Sequence, residues 1–232
     1  DTVAHDISAT DGGVADSLAA DSDQPSDIGA TTDSTSPDPL GPGALVITEI
    51  HYNPWGGGGL KDQDGEWFEV FNPGDNALDL GGVTIRDDGN DKYNILAKTV
   101  IIPAKSYYVF GATQNQQLNG GVQVDHAWGT SIQLANVGKD AIILAKGSVE
   151  IDAVRWDTKA GWPMLNARAM NLRTDKVLPQ GHLDNDVASH WCGAQVVMPS
   201  SDLGTPGKPN SLCDYSDKDN DGYEISVDCN DN

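Results

Sequence analysis

The stretch GEWFEVFNPG (Gly65–Gly74) decides the fold. Trp67, Glu69 and Phe71 alternate in it with Phe68 and Val70, which is the two-residue period of a strand. The run stops at Asn-Pro-Gly, residues that favour a turn. Upstream, ALVITEIHYN (44–53) repeats the alternation. Downstream, GVTIRDD (82–88), KTVIIPAKSYYVFG (98–111), VDHAW (124–128), SIQLAN (131–136), DAIILAKG (140–147) and SVEIDAVRW (148–156) are rich in β-forming residues. Turn residues separate them at roughly 8–12-residue intervals, the pattern of an all-β sandwich or barrel. Gly81 and Gly82 permit a sharp bend into the run that follows them. Trp67 and Trp128 are large apolar groups expected in the core. Beyond Trp156 the alternation fades. The rest, to Cys213, reads as an irregular extension held on the sandwich by Trp162 and Trp191.

Charge divides the chain into three parts. Residues 1–43 carry nine Asp and no Lys or Arg, and residues 214–232 carry seven acids and one Lys. Residues 44–213 carry nineteen acids and thirteen bases. Residues 1–43 are low-complexity, without aromatics, and cannot bury enough apolar area to offset chain entropy. They are expected to form a disordered acidic linker, either a tether from a cell surface or a passive tail. The acidic balance argues against nucleic acid, which needs clustered Lys and Arg. No apolar run approaches the ~18 residues of a membrane span, so no direct membrane insertion is expected. The start at Asp1, without Met or leader, reads as a processed or excised piece, with an upstream lipid anchor left open.

Cys192 and Cys213 flank a loop rich in Pro, Ser and Gly. They are expected either as a disulfide, implying an oxidising compartment, or as two free thiols. Cys229 has no partner within the sequence.

A resemblance joins these motifs. LVITEIHYNP, GEWFEVFNPGDNALDLGGVTIRDD, TVIIPAKSYYVFG, AWGTSIQLANVGKDAIILAKG, DAVRW and GTPGKPN (204–210) follow one another as in the bacterial form of the lamin tail domain. The resemblance implies an immunoglobulin-like β-sandwich over 44–213. It carries no catalytic residues with it. It implies a module appended to secreted or surface proteins, sometimes beside nucleases or phosphatases.

The C-terminal segment, 214–232, contains DKDNDGYEISVDCNDN (Asp217–Asn232). Asp217, Asp219 and Asp221 occupy positions 1, 3 and 5 of a calcium loop, with Gly222 at 6, Tyr223 at 7 and Asp228 at 12. Alternate carboxylates converge when the chain curls around one ion, Gly permits the turn, and position 7 offers its backbone carbonyl. Calcium, a hard cation taking 6–8 oxygens, suits this set better than zinc or copper. Position 12 is Asp rather than Glu, and no amphipathic helix flanks the loop. The segment resembles the start of a metal-binding repeat of bacterial surface proteins. In that repeat a D-x-D-x-D-G run leads to Asp-Cys-Asn-Asp and the cysteine pairs further along. The alternative reading is a solvated acidic tail.

A weaker cluster consists of Glu49, Asp62, Asp64, Glu66 and Glu69. It could converge on a metal. The blander reading is a charged strand edge that discourages aggregation. His182, His190, Cys192 and Cys213 are spaced too irregularly for a zinc site. No HExxH, GxSxG or Walker loop is present. The sequence therefore predicts a non-enzymatic module of the cell exterior or envelope that serves adhesion, display or partner binding, with calcium in its last loop. Its partner would be an unknown protein or surface polymer. The alternative is the accessory domain of a secreted nuclease or phosphatase whose catalytic domain lies outside this chain. A third reading, sugar binding, rests on Tyr52 and Trp55.

Overall fold

In a computed structural model of the protein, which describes residues 40–55, 59–95 and 99–213, the two alternating stretches pair antiparallel. They form β1 (Val46–His51) and β2 (Trp67–Phe71). One-turn helix α1 (Asp62–Gly65) precedes β2. The chain continues through β3 (Leu78–Asp79), β4 (Val83–Arg86), β5 (Lys92–Asn94), β6 (Ile101–Ile102), β7 (Tyr107–Gly111) and β8 (His126–Ala127). Then come β9 (Lys139–Lys146), β10 (Val149–Asp157), β11 (Met170–Leu172), one-turn α2 (Gly181–Asp184) and β12 (Trp191–Gly193).

One sheet has the order β12-β11-β1-β2-β7-β8, the second β10-β9-β4-β5, and β3 pairs with β6 alone. Ile47, Ile50, Phe68, Val70 and Phe110 from the first sheet meet Val83, Ile85, Ile142, Leu144, Ile151, Val154 and Trp156 from the second in one core. This is the all-β class that the alternation predicts, in the immunoglobulin-like form that the resemblance implies.

Two polar latches join the opposite edges of the four-stranded sheet to the six-stranded one. At one, a bulge in β10 presents Asp152, whose Oδ2 accepts the Ile47 N–H at 2.6 Å and Asn185 Nδ2 at 2.8 Å. Burial pushes this carboxyl up to about 7, against the pull of those donors. At the other, the Tyr93 hydroxyl of β5 lies 2.9 Å from His126 Nε2 of β8. Burial lowers the pKa of that imidazole.

Three expectations change. Alternation predicts half-buried strands, yet every residue of β1 and β2 is buried. The irregular extension supplies the reason: it covers the outer face of the six-stranded sheet. Trp67, Val109, Val122, Val124, Ala169, Ala194 and Met198 form a second core there. SIQLAN forms no strand, because its amides are taken by side chains: Gln133, Leu134 and Ala135 donate to Asp91, Glu66 and Asp140 at 2.6, 3.1 and 2.6 Å. Finally, the ordered domain starts before Ala44. Leu40 packs on the core, and the Gly43 N–H donates to Ile151 at 2.8 Å.

Candidate functional site

A pair of buried carboxyls lies at the centre of the six-stranded sheet, on its outer face. Glu49 of β1 stands directly opposite Glu69 of β2, and neither is exposed. Two carboxylates so placed demand donors. The segment GTPGKPN supplies them. Glu49 Oε1 accepts the Thr205 N–H at 2.9 Å, and its Oε2 accepts the Thr205 hydroxyl at 3.0 Å. Glu69 Oε2 accepts the N–H groups of Gly207 and Lys208 at 2.7 and 3.2 Å, and its Oε1 accepts the Thr48 hydroxyl at 2.7 Å.

Pro206 and Pro209 lack N–H groups, and the Thr205, Gly207 and Lys208 amides between and beside them reach the two carboxylates. Asn210 Nδ2 closes it, donating to the carbonyls of Thr48 and Leu172 at 2.7 Å each. Gly204 opens it in a space that admits no side chain: a Cβ there would stand 2.8 Å from Met198 Sδ and 3.0 Å from Trp67 Cζ2. The Cys192–Cys213 disulfide ties the end of the strap to β12. Of the two states left open for these cysteines, the bonded one is present, which removes both from any zinc set.

Burial raises the pKa of both glutamates, and the charge of Glu49 raises Glu69 further. Amide donors pull the other way but do not overcome the loss of water. Two buried carboxyls facing each other hold a proton between them more readily than two charges.

Two residues further along each strand, on the same face, His51 stacks on Trp67 with ring centroids 5.5 Å apart. His51 Nε2 lies 3.3 Å from Asp202 Oδ2, which also accepts the Trp55 N–H at 3.0 Å. An Asp–His pair orients the base in hydrolytic triads. Here both members are sealed from solvent, and His51 Nδ1 meets no hydrogen-bond partner among the described residues.

The residues predicted as a weaker metal cluster separate into different structures. Glu49 and Glu69 face the strap. Glu66 holds the 131–136 loop through the Leu134 N–H. Its carboxyl is pushed up to about 8 by burial, with the charges of Asp62, Asp140 and Asp91 adding to the effect. Asp62 accepts Asn136 Nδ2 at 3.1 Å, and Asp64 lines a surface cleft. Among the described residues no three or more His, Cys, Asp or Glu form a group that could hold a metal. The strand-edge reading also fails: β1 and β2 are central strands, and their glutamates bind chain rather than repel it. Of the sugar-binding pair, Tyr52 is buried, its hydroxyl accepting the Leu165 N–H at 2.7 Å and donating to Pro163 at 2.9 Å. Trp55 is 55% exposed. The calcium-loop residues Asp217, Asp219, Asp221, Tyr223 and Asp228 lie outside the described residues, as do residues 1–39.

The strap donors, Asp202 and Asp152 were not singled out from sequence. The Pro spacing of GTPGKPN was the available signal, since it fixes which amides remain free to donate.

Comparison with known families gives one finding that covers just over half of the chain. The family model described as Lamin Tail Domain matches residues 39–158. The chain belongs to the lamin tail domain family. In this lamin tail domain the match ends just after β10, while the folded unit runs on. β11 and β12 complete the six-stranded sheet, and the strap satisfies glutamates inside the matched region. No curated protein matches the chain. Among the described residues no helix is long and apolar enough to cross a membrane.

Proposed function

We propose that this lamin tail domain is a non-catalytic module of the cell exterior or envelope, serving adhesion, display or partner binding, with calcium held by its acidic C-terminal loop. One observation carries the first half. The buried carboxyls with raised pKa at the sheet centre, Glu49 and Glu69, are occupied by backbone and hydroxyl donors of the strap, and are used for bracing. Glu66 and Asp152 hold chain in the same way. The disulfide supports an oxidising compartment.

Calcium rests on the 1-3-5-6-12 spacing of Asp217, Asp219, Asp221, Gly222 and Asp228, with the Tyr223 carbonyl. Calcium neutralises carboxylates that otherwise repel and stiffens the exit from the domain. Calorimetric titration with calcium tests this half. Saturable binding is expected in the chain as given and is lost in the variant carrying Asp219→Ala and Asp221→Ala. Unchanged affinity in that variant would remove the loop from the reading.

A further inference from the structure

We propose that residues 131–136 form a proton-operated flap, closed while Glu66 carries a proton and opening between two flanking glycines when Glu66 ionises. The inference stands apart from the adhesion and calcium readings and gives the same domain a regulatory element.

Four carboxyl groups hold this stretch, one for each of four successive residues. Asp91 Oδ2 accepts the Gln133 N–H at 2.6 Å, Glu66 Oε2 the Leu134 N–H at 3.1 Å and Asp140 Oδ2 the Ala135 N–H at 2.6 Å. Asp62 Oδ2 accepts Asn136 Nδ2 at 3.1 Å. The four come from three parts of the chain: α1 and the residue before β2, the β4–β5 turn, and β9. The charge of Asp87 also reaches Asp140. The Lys and Arg ion pairs among the described residues lie elsewhere: Arg86 and Arg155 pair with Asp88 and Glu150, Lys105 with Asp75, and Arg173 with Asp175. Like charges therefore face one another around the stretch, and neutral N–H groups are what separate them.

Glu66 is the member turned away from water. It is 3% exposed, and its carboxyl meets one hydrogen-bond donor among the described residues, the Leu134 N–H. One neutral donor does not replace the hydration of an ionised carboxylate. Burial favours the protonated acid, and the charges of Asp62, Asp140 and Asp91 add to that preference. Once ionised, Glu66 regains water when the stretch bonded to it moves away.

The backbone is suited to that motion. Gly129 and Gly138 bound the stretch with φ of 67° and 94°, and a Cβ on either would meet no atom within 4 Å. Both are anchored to fixed strands and loops. The Gly129 N–H donates to the Ala112 carbonyl at 3.1 Å, and the Gly138 carbonyl accepts the Thr158 N–H at 3.1 Å. Ile132 and Leu134, buried in the main core, oppose opening and keep the flap shut in acid. From the ordinary glutamate range up to about pH 8, the closed flap binds one proton more than the open one. Each pH unit in that window should raise the opening constant by up to about tenfold.

Hydrogen exchange of the full chain, followed by NMR between pH 5 and pH 8 and divided by the intrinsic rate at each pH, reads this constant. The amides of Gln133, Leu134 and Ala135 should lose protection by up to about tenfold per pH unit. Those of Ile142 and Leu144 in β9 should stay more strongly protected at every pH. Glu66→Gln keeps an acceptor for Leu134 and has no proton to lose, so the slope should flatten and protection at pH 8 should rise. Asp62→Asn, a change at an exposed residue that removes one repelling charge, should raise protection at pH 8 severalfold. Protection that does not change with pH, flap amides that exchange together with those of β9, or a slope that survives Glu66→Gln would each overturn the flap. Should Glu66→Gln fail to fold, Asp62→Asn decides alone, and no gain of protection at pH 8 overturns the proposal.

Discussion

Replacing Glu69 separates two ways in which the strap could be held. Glu69→Leu keeps approximate volume but takes the carboxylate acceptor from two buried donors, the Gly207 N–H at 2.7 Å and the Thr48 hydroxyl at 2.7 Å, while the Lys208 N–H, 3.2 Å from Oε2, keeps the Thr205 carbonyl at 3.0 Å. Each stranded buried donor costs about 1–3 kcal/mol, so the loss should reach about 2–6 kcal/mol. In a domain of this size that lowers the melting temperature by roughly 5–20 °C. Glu69→Gln behaves differently. Its amide oxygen accepts the same two N–H groups, and its amide nitrogen donates to the Thr48 hydroxyl oxygen. It also removes the charge that opposes Glu49. At pH 8 this variant should lie within about 1 kcal/mol of the parent or above it. Urea unfolding at pH 8 with the disulfide intact measures both. A loss in Glu69→Gln as large as that in Glu69→Leu would refute the reasoning, because an ionised carboxylate, and not its accepting geometry, would then hold the strap.

Two further outcomes follow from the same contacts. Reducing Cys192–Cys213, or replacing both by Ser, frees a loop spanning 21 residues and should cost about 3 kcal/mol, read as a lower urea midpoint in the presence of reductant. The folded-state pKa values of Glu66 (about 8, against 4.5) and Asp152 (about 7, against 3.8) are raised, so their contribution is complete in acid and is lost as pH rises through 7 to 8. Stability should therefore fall between pH 5 and pH 8, at up to about 1.4 kcal/mol per pH unit for each proton released; urea midpoints that do not change with pH would contradict it.

The strands were legible where the side chains report their environment directly. Phe68 and Val70 against Trp67, Glu69 and Phe71 identify β2, and the turn at Asn72–Gly74 bounds it. The same pattern misleads about exposure, since alternation cannot tell a face covered by water from one covered by irregular chain. Trp67 and Met198 meet over that face, although 131 positions separate them in the sequence. SIQLAN fails as a strand for a related reason. Its apolar residues Ile132 and Leu134 are buried as a strand's would be, yet its amides find Asp91, Glu66 and Asp140, which no local pattern pairs with it. The acids of 49–69 were legible as a cluster but not in purpose. Whether a carboxylate awaits a metal or an amide depends on what arrives opposite it, and here the donor, Thr205, lies 156 residues after Glu49.

That long separation bears on the order in which the molecule can be completed. A chain delivered from its N-terminus presents β1 and β2 long before residues 204–210 exist. Pairing them at that stage would set two carboxylates side by side with no donors and leave Trp67 in water. The sheet centre is thus poorly stabilised until nearly the whole domain is available, and the last segment to arrive commits it. Partial chains are disfavoured by two glutamates that become assets only when the strap closes over them.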